Sequence, residues 1–184
     1  MLNCFIETGN PESGQALGRD YRMTIAPALR QADIFYQFTE PQLECLADIC
    51  QEKTYPLGEI IFPENSPSDE LYIISRGEVE IVLDPALVSD RPHSSARPTT
   101  IAVLRRGQSF GEIALVDQGI RSAAARSAST DTHLLIIPRE KLMQLCEADP
   151  VLGYRLMRNL AADLATKLRN TDLRIRGILL AGGA

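Results

Sequence analysis

A chain of 184 residues, 45% of them hydrophobic, is long enough to bury a real core and corresponds to one ordinary domain with extensions. No apolar run approaches the length of a membrane span, and Met1-Leu2-Asn3-Cys4 opens no signal peptide, so a cytoplasmic protein without a membrane segment is expected. A net charge of −5 excludes a general field that would draw nucleic acid, and Arg155, Arg158, Lys167, Arg169, Arg174 and Arg176 read as a solvated helix face.

Residues 1–23 are polar, carry Gly9, Pro11, Gly14 and Gly18, show no sustained period and read as a mobile extension. A domain over 24–149 follows. A short helix fits Thr24 to Gln31, with Ile34, Phe35 and Phe38 as apolar anchors after it. Thr39-Glu-Pro-Gln42 has the spacing of a capping box, and Leu43, Leu46, Ala47 and Cys50 form the apolar stripe of a helix from about Glu40 to Gln51. From Thr54 to Ile137 the period becomes that of strands. Val79, Ile81 and Leu83 alternate with Glu78, Glu80 and Val82, and Glu59 to Phe62, Leu71 to Ser75, Thr100 to Leu104, Ala123 to Ser127 and His133 to Ile137 add further strands. The connection Asp84 to Pro98 is either a disordered tip or a partner-binding loop. Strands at this density with flanking helices predict a mainly β fold, an antiparallel jelly-roll β-barrel with N-terminal helices and a long C-terminal helix.

Pro138 suits the start of a helix ending near Glu147, and Pro150 the start of a longer one over 150–176, leaving 177–184 as a tail. Along the long helix Met157, Ala161, Leu164, Leu168, Thr171, Ile175 and Ile178 recur at alternating steps of four and three, the spacing of a coiled-coil seam. Leu152, Leu156 and Leu160 form a separate row that can pack on the domain, so the seam is free to join a second copy in a parallel homodimer.

The chemistry gathers in Phe110-Gly111-Glu112-Ile113-Ala114-Leu115 and, after a short loop, Arg121-Ser122-Ala123. Gly111 lets backbone approach an anion closely, and the turn that follows aims unbonded N–H groups at it. Arg121 is a permanently charged bidentate donor for a phosphate diester, Glu112 an acceptor for a ribose hydroxyl, and Ser122 one more donor beside the phosphate. Taken singly, Glu112 and Arg121 are also what a surface ion pair contains. Cys4, Cys45, Cys50 and Cys146 lack paired metal-ligand spacing, and His93 and His133 form no cluster, so no metal, cofactor or catalytic residue is assigned and no enzyme is expected.

FGEIAL…RSA resembles the phosphate-binding cassette of the cyclic-nucleotide-binding domain, the module of catabolite-activator-type regulators, kinase regulatory subunits and nucleotide-gated channels. The run from Gly58 to Ile81 is similar to that family's opening strands, and the resemblance covers about Ile34 to Ile175. It implies that Glu112 takes the ribose 2′-hydroxyl and Arg121 the cyclic phosphate. Two positions depart from the pattern: Ile120 stands where Pro is frequent before the arginine, and Asn65 where Gly is frequent in the early turn. Asn tolerates the left-handed conformation such a turn needs. Base contacts are expected from the last helix or its partner, with Lys167, Arg169, Asn170 and Thr171 as candidates, and the ligand is cyclic AMP or cyclic GMP, the former favoured by family frequency.

Gly177 to Ala184 cannot build a recognition helix, so no specific DNA binding is expected of this chain. Three outputs remain open: a receptor acting on an unidentified protein partner, a transcription regulator separated from its helix-turn-helix half, and a degenerate domain kept as a dimeriser.

Overall fold

The computed structural model describes residues 24–67, 69–84, 97–113 and 119–181. The expectations for 1–23 and for most of the Asp84 to Pro98 connection therefore lie outside the described residues. Residues 24–30 are helical (α1), and a single 3-10 turn, Asp33–Phe35, leads to α2, Glu40–Ile49. The capping box is present at the start of α2, where the Thr39 N–H donates to Gln42 Oε1 at 3.1 Å.

Eight strands follow: β1 Gln51–Tyr55, β2 Ile60–Phe62, β3 Glu70–Arg76, β4 Glu78–Leu83, β5 Thr99–Arg105, β6 Ser109–Phe110, β7 Ala124–Ser127 and β8 Thr132–Pro138. They form two antiparallel four-stranded sheets, ordered β1-β8-β3-β6 and β2-β7-β4-β5. The first sheet lies between two cores. Tyr72, Ile74, Leu134 and Ile136 face Val79, Leu104 and Ala125 of the second sheet, while Leu71, Ile73, Leu135 and Ile137 face the helices. A strand covered on both faces has no polar alternation to keep, which is why β3 and β8 read as unbroken apolar runs.

Two strand readings change. In β4 a bulge between Ile81 and Val82 shifts the pairing with β5, so Val82 is buried rather than outward. Gln51 to Lys53, read as the end of a helix and a link, join Thr54 and Tyr55 in β1, which is held by its register against β8.

Two further helices complete the fold, α3 Arg139–Ala148 and α4 Pro150–Ala181. The second continues past Arg176 because Ile178, Leu179, Leu180 and Ala181 are competent helix residues and one interior glycine is tolerated. Leu152, Leu156 and Leu160 are buried, the last two in the helix-side core, whereas Met157, Leu168, Ile175 and Ile178 are 38%, 63%, 51% and 71% exposed. The two apolar rows therefore occupy different faces. The first half of α4 is tied down by polar contacts: Asn159 Nδ2 donates to the carbonyls of Ile34 and Tyr36 at 3.0 and 2.8 Å, and Arg155 donates to Gln42 Oε1 at 3.1 Å.

Asp149 caps α4, its Oδ1 accepting from the N–H groups of Val151 and Leu152 at 3.0 and 3.1 Å. The Gln42 amide on its other oxygen, followed by these two N–H groups, holds its carboxyl below the ordinary aspartate range. Asp149→Ala is expected to cost about 1 kcal/mol at neutral pH. A depressed pKa contributes stability above the unfolded value and loses it as pH falls through the folded one, so the gap to wild type should close in acid. Urea unfolding at neutral pH and in acid measures it; an identical gap at both would remove the carboxylate's charge from the account.

Candidate functional site

Arg121 is placed by backbone before its side chain is considered. Its N–H donates to the Ser66 carbonyl at 2.9 Å and its carbonyl accepts from the Asn65 N–H at 2.8 Å, with Ile120 bridged to Pro67 one step earlier. Asn65 has φ of 63°, the left-handed conformation expected of it. The early turn and the arginine loop thus brace each other, and this pairing gives the loop the order that a proline before the arginine would supply.

Arg121 is 5% exposed. Its guanidinium lies 4.1 Å over the Phe62 ring and 5.4 Å from that of Tyr72, which stacks on Phe110 at 5.0 Å. One terminal nitrogen donates to the Gly111 carbonyl at 3.3 Å and the other to the Glu70 carbonyl at 3.0 Å. Nε is buried with no hydrogen-bond partner among the described residues. Burial pushes this guanidinium below its ordinary value, against the negative charge of Glu70, Asp69 and Glu112. Burial likewise raises the Tyr72 phenol, helped by its hydrogen bond to the Glu70 carboxylate.

Gly111 is required by the same arrangement. Its φ is 79°, and a Cβ there would stand 3.0 Å from the Glu70 carbonyl and collide with the Arg121 guanidinium. The next residue, Glu112, is also 5% exposed, and its Oε1 accepts from Lys167 Nζ of α4 at 3.0 Å.

One cavity of about 1260 Å³, between β5, the Gly111 turn and α4, joins these groups; Phe110, Gly111, Glu112, Ile113, Arg121, Ser122 and Ala123 all border it. Ala114 lies outside the described residues. Of the residues considered for base contact, Lys167, Asn170 and Thr171 line the cavity and Arg169 does not. Two positions beyond Lys167 is about 200° around a helix, which turns Arg169 to the far side. From the cavity wall Lys167 donates to Glu112 Oε1 at 3.0 Å and to the Ser109 carbonyl at 2.9 Å. The sequence reading missed this pairing, along with the aromatic bed under Arg121. The Asp163–Lys167 spacing of four signals that ion pair within the helix but not the contact with Glu112; nothing local signalled the aromatic bed either, because Phe62 and Tyr72 meet only through folding.

Among the described residues no group of three or more His, Cys, Asp or Glu side chains is placed to hold a metal ion, and no helix is long and apolar enough to cross a membrane. Cys50 is buried, its thiol pushed up to about 12 chiefly by that burial, as suits a small core residue rather than a reactive one.

Comparison with known proteins agrees with the geometry. Residues 52–149 match the family model described as the cyclic nucleotide-binding domain. The chain is 31% identical over 147 residues to the cyclic AMP receptor protein of Thermus thermophilus, covering 80% of this chain and 62% of that protein. It is 25% identical over 131 residues to a cGMP-dependent protein kinase of Caenorhabditis elegans, covering 71% of this chain and 16% of the kinase. Among solved structures, a cyclic nucleotide-binding domain from Methylobacillus flagellatus superposes with a TM-score of 0.69 at 25% identity, covering 86% of this chain and 84% of that one. The chain thus spans less than two thirds of the length of these two curated relatives.

Proposed function

The chain belongs to the cyclic nucleotide-binding domain family, and from that premise we propose that it is a receptor for a 3′,5′-cyclic mononucleotide, with cyclic AMP favoured over cyclic GMP. The observation that carries the reading is the pair of buried charged side chains on one cavity wall, Arg121 with an unpartnered Nε and Glu112. A buried donor without an acceptor is costly, and a phosphate oxygen beside Gly111 would relieve it. Glu112 then faces the ribose 2′-hydroxyl, and Ser122 the phosphate. The relative with the highest identity given above is named for cyclic AMP, which supports the preference, while Ser122 suits either base. The role is read as recognition rather than catalysis, which the match to the cyclic nucleotide-binding domain family supports.

Occupancy is read out by α4. A ligand shifts an equilibrium only through unequal contacts with two states, and α4 carries both a cavity wall and the exposed seam. The seam joins a second copy as a parallel homodimer, and the repositioned helix is presented to a protein partner in the cytoplasm. A second reading has its own observation: because the chain spans 62% of the Thermus receptor, it fits the ligand-binding part of a longer regulator, such as a transcription regulator separated from its helix-turn-helix half. The reading frame downstream in the gene separates the two.

Titration calorimetry with cyclic AMP and its 2′-deoxy form tests the site. The wild type should prefer the ribose form by about tenfold or more, and Glu112→Ala should erase most of that preference. Equal binding of the two ligands by the wild type would refute the ribose assignment.

A further inference from the structure

The two ends of the cavity are built differently. At the Arg121 end the guanidinium bonds go to backbone carbonyls of Gly111 and Glu70, inside the sheet framework. At the Glu112 end the carboxylate is held by a side chain of α4. Beyond Leu160, the polar contacts that tie α4 to the rest of the chain, among the described residues, converge on that one side chain, Lys167.

The Lys167 ammonium hydrogen-bonds Glu112 Oε1 at 3.0 Å and the Ser109 carbonyl at 2.9 Å. Asp163 Oδ2 stands 2.8 Å away but makes no hydrogen bond, so that contact is one of charge alone. The Glu112, Asp163 and Lys167 side chains are 7%, 19% and 29% exposed. Two carboxylates so far out of water share this one ammonium, and the Arg121 guanidinium is the second cation that Glu112 feels. The bond to Lys167 uses one Glu112 oxygen, and a carboxylate has a second to offer.

We propose that Lys167 is the positioning residue for ribose recognition: it orients the Glu112 carboxylate through Oε1, presents the other oxygen to the ligand's 2′-hydroxyl, and by the same contact makes α4 responsive to the ribose rather than to the phosphate. The inference rests on the cyclic-nucleotide reading of the site. It assigns the phosphate to affinity and the ribose to signalling. A ligand without the 2′-hydroxyl should occupy the cavity and leave α4 uninformed.

The test is calorimetry and hydrogen exchange on the full chain, wild type, Lys167→Met and Lys167→Arg, with cyclic AMP and 2′-deoxy cyclic AMP as probes. In the wild type the ribose form should bind about tenfold or more tightly and should slow exchange across 161–175 more than the deoxy form does at equal saturation. In Lys167→Met the preference should fall below about threefold and the difference in exchange should vanish, while the affinity for the deoxy form changes little. Lys167→Arg should restore most of both, since the guanidinium can still pair with a carboxylate. A Met variant that keeps the full preference, or an Arg variant that fails to restore it, overturns the positioning role. Failure of the wild type to bind either nucleotide removes the reading of the site itself, which is a distinct result from binding with an unchanged preference in the Met variant.

Discussion

Replacing Arg121 by alanine should weaken cyclic-nucleotide binding by about one to two orders of magnitude, the factor expected from losing a charge-assisted contact of about 1.5–3 kcal/mol. The structure adds a second effect. The guanidinium bonds the carbonyls of Gly111 and Glu70 and lies over Phe62, so the substitution also strips partners from a buried turn. Some loss of thermal stability should accompany the loss of affinity, and circular dichroism at the titration temperature has to show the variant folded. Arg121→Lys separates the two contributions. Lysine keeps the charge but not the planar fork, so the variant should recover part of the affinity while Nε and the paired carbonyl bonds stay lost. An alanine variant that is folded and binds at wild-type affinity would remove the phosphate from this wall of the cavity.

Charging the seam should convert the proposed homodimer to a monomer. Met157 and Leu168 are exposed within one chain and neither borders the cavity, so Met157→Lys with Leu168→Lys leaves the fold and the ligand site intact. In a parallel pair each substitution acts twice, once per copy, and sets like charges facing across the two-fold axis. Four apolar side chains at about 1.5–3 kcal/mol for full burial exceed about 5 kcal/mol, more than three orders of magnitude in the dimer dissociation constant. Sedimentation equilibrium at micromolar concentrations reads this directly. A double variant that still sediments as a dimer would place the interface elsewhere, and a wild type that is monomeric in that range would leave the seam without a second copy.

The sequence was legible wherever a short segment carried its own physical signature. The capping box at Thr39 and Gln42 and the split of the last helix into two apolar rows each follow from a few neighbouring residues, the left-handed Asn65 follows from the family resemblance at that turn, and the structure has all three. What escaped depends on residues brought together over long stretches of chain. β1 has four exposed positions out of five and no alternation, so only its register against β8 makes it a strand. The two residues of β6 are too few for any period, and the β4 bulge exists only relative to β5. At the site the residue types were readable, but the partner of Glu112 lies 55 positions away, and Lys167 was grouped with possible base contacts because the family resemblance points to the last helix without saying which acid a lysine there meets.

The anchoring of α4 near Asn159 has a mechanical corollary. Leu160 and Ala181 are 21 positions apart along one helix, about 32 Å at 1.5 Å per residue, so the outer part is a stiff lever pivoted where the hydrogen bonds to Ile34 and Tyr36 end. A tilt of about 10° at that fulcrum carries the tip through roughly 5–6 Å, close to the rise of one helical turn. The lysine contact sits only seven positions from the fulcrum, about a third of the way out, so a displacement there of under 2 Å is magnified about threefold at the tip. Under the proposed ribose contact, an atomic-scale adjustment at Lys167 would be geared up to the scale on which one helix steps past another.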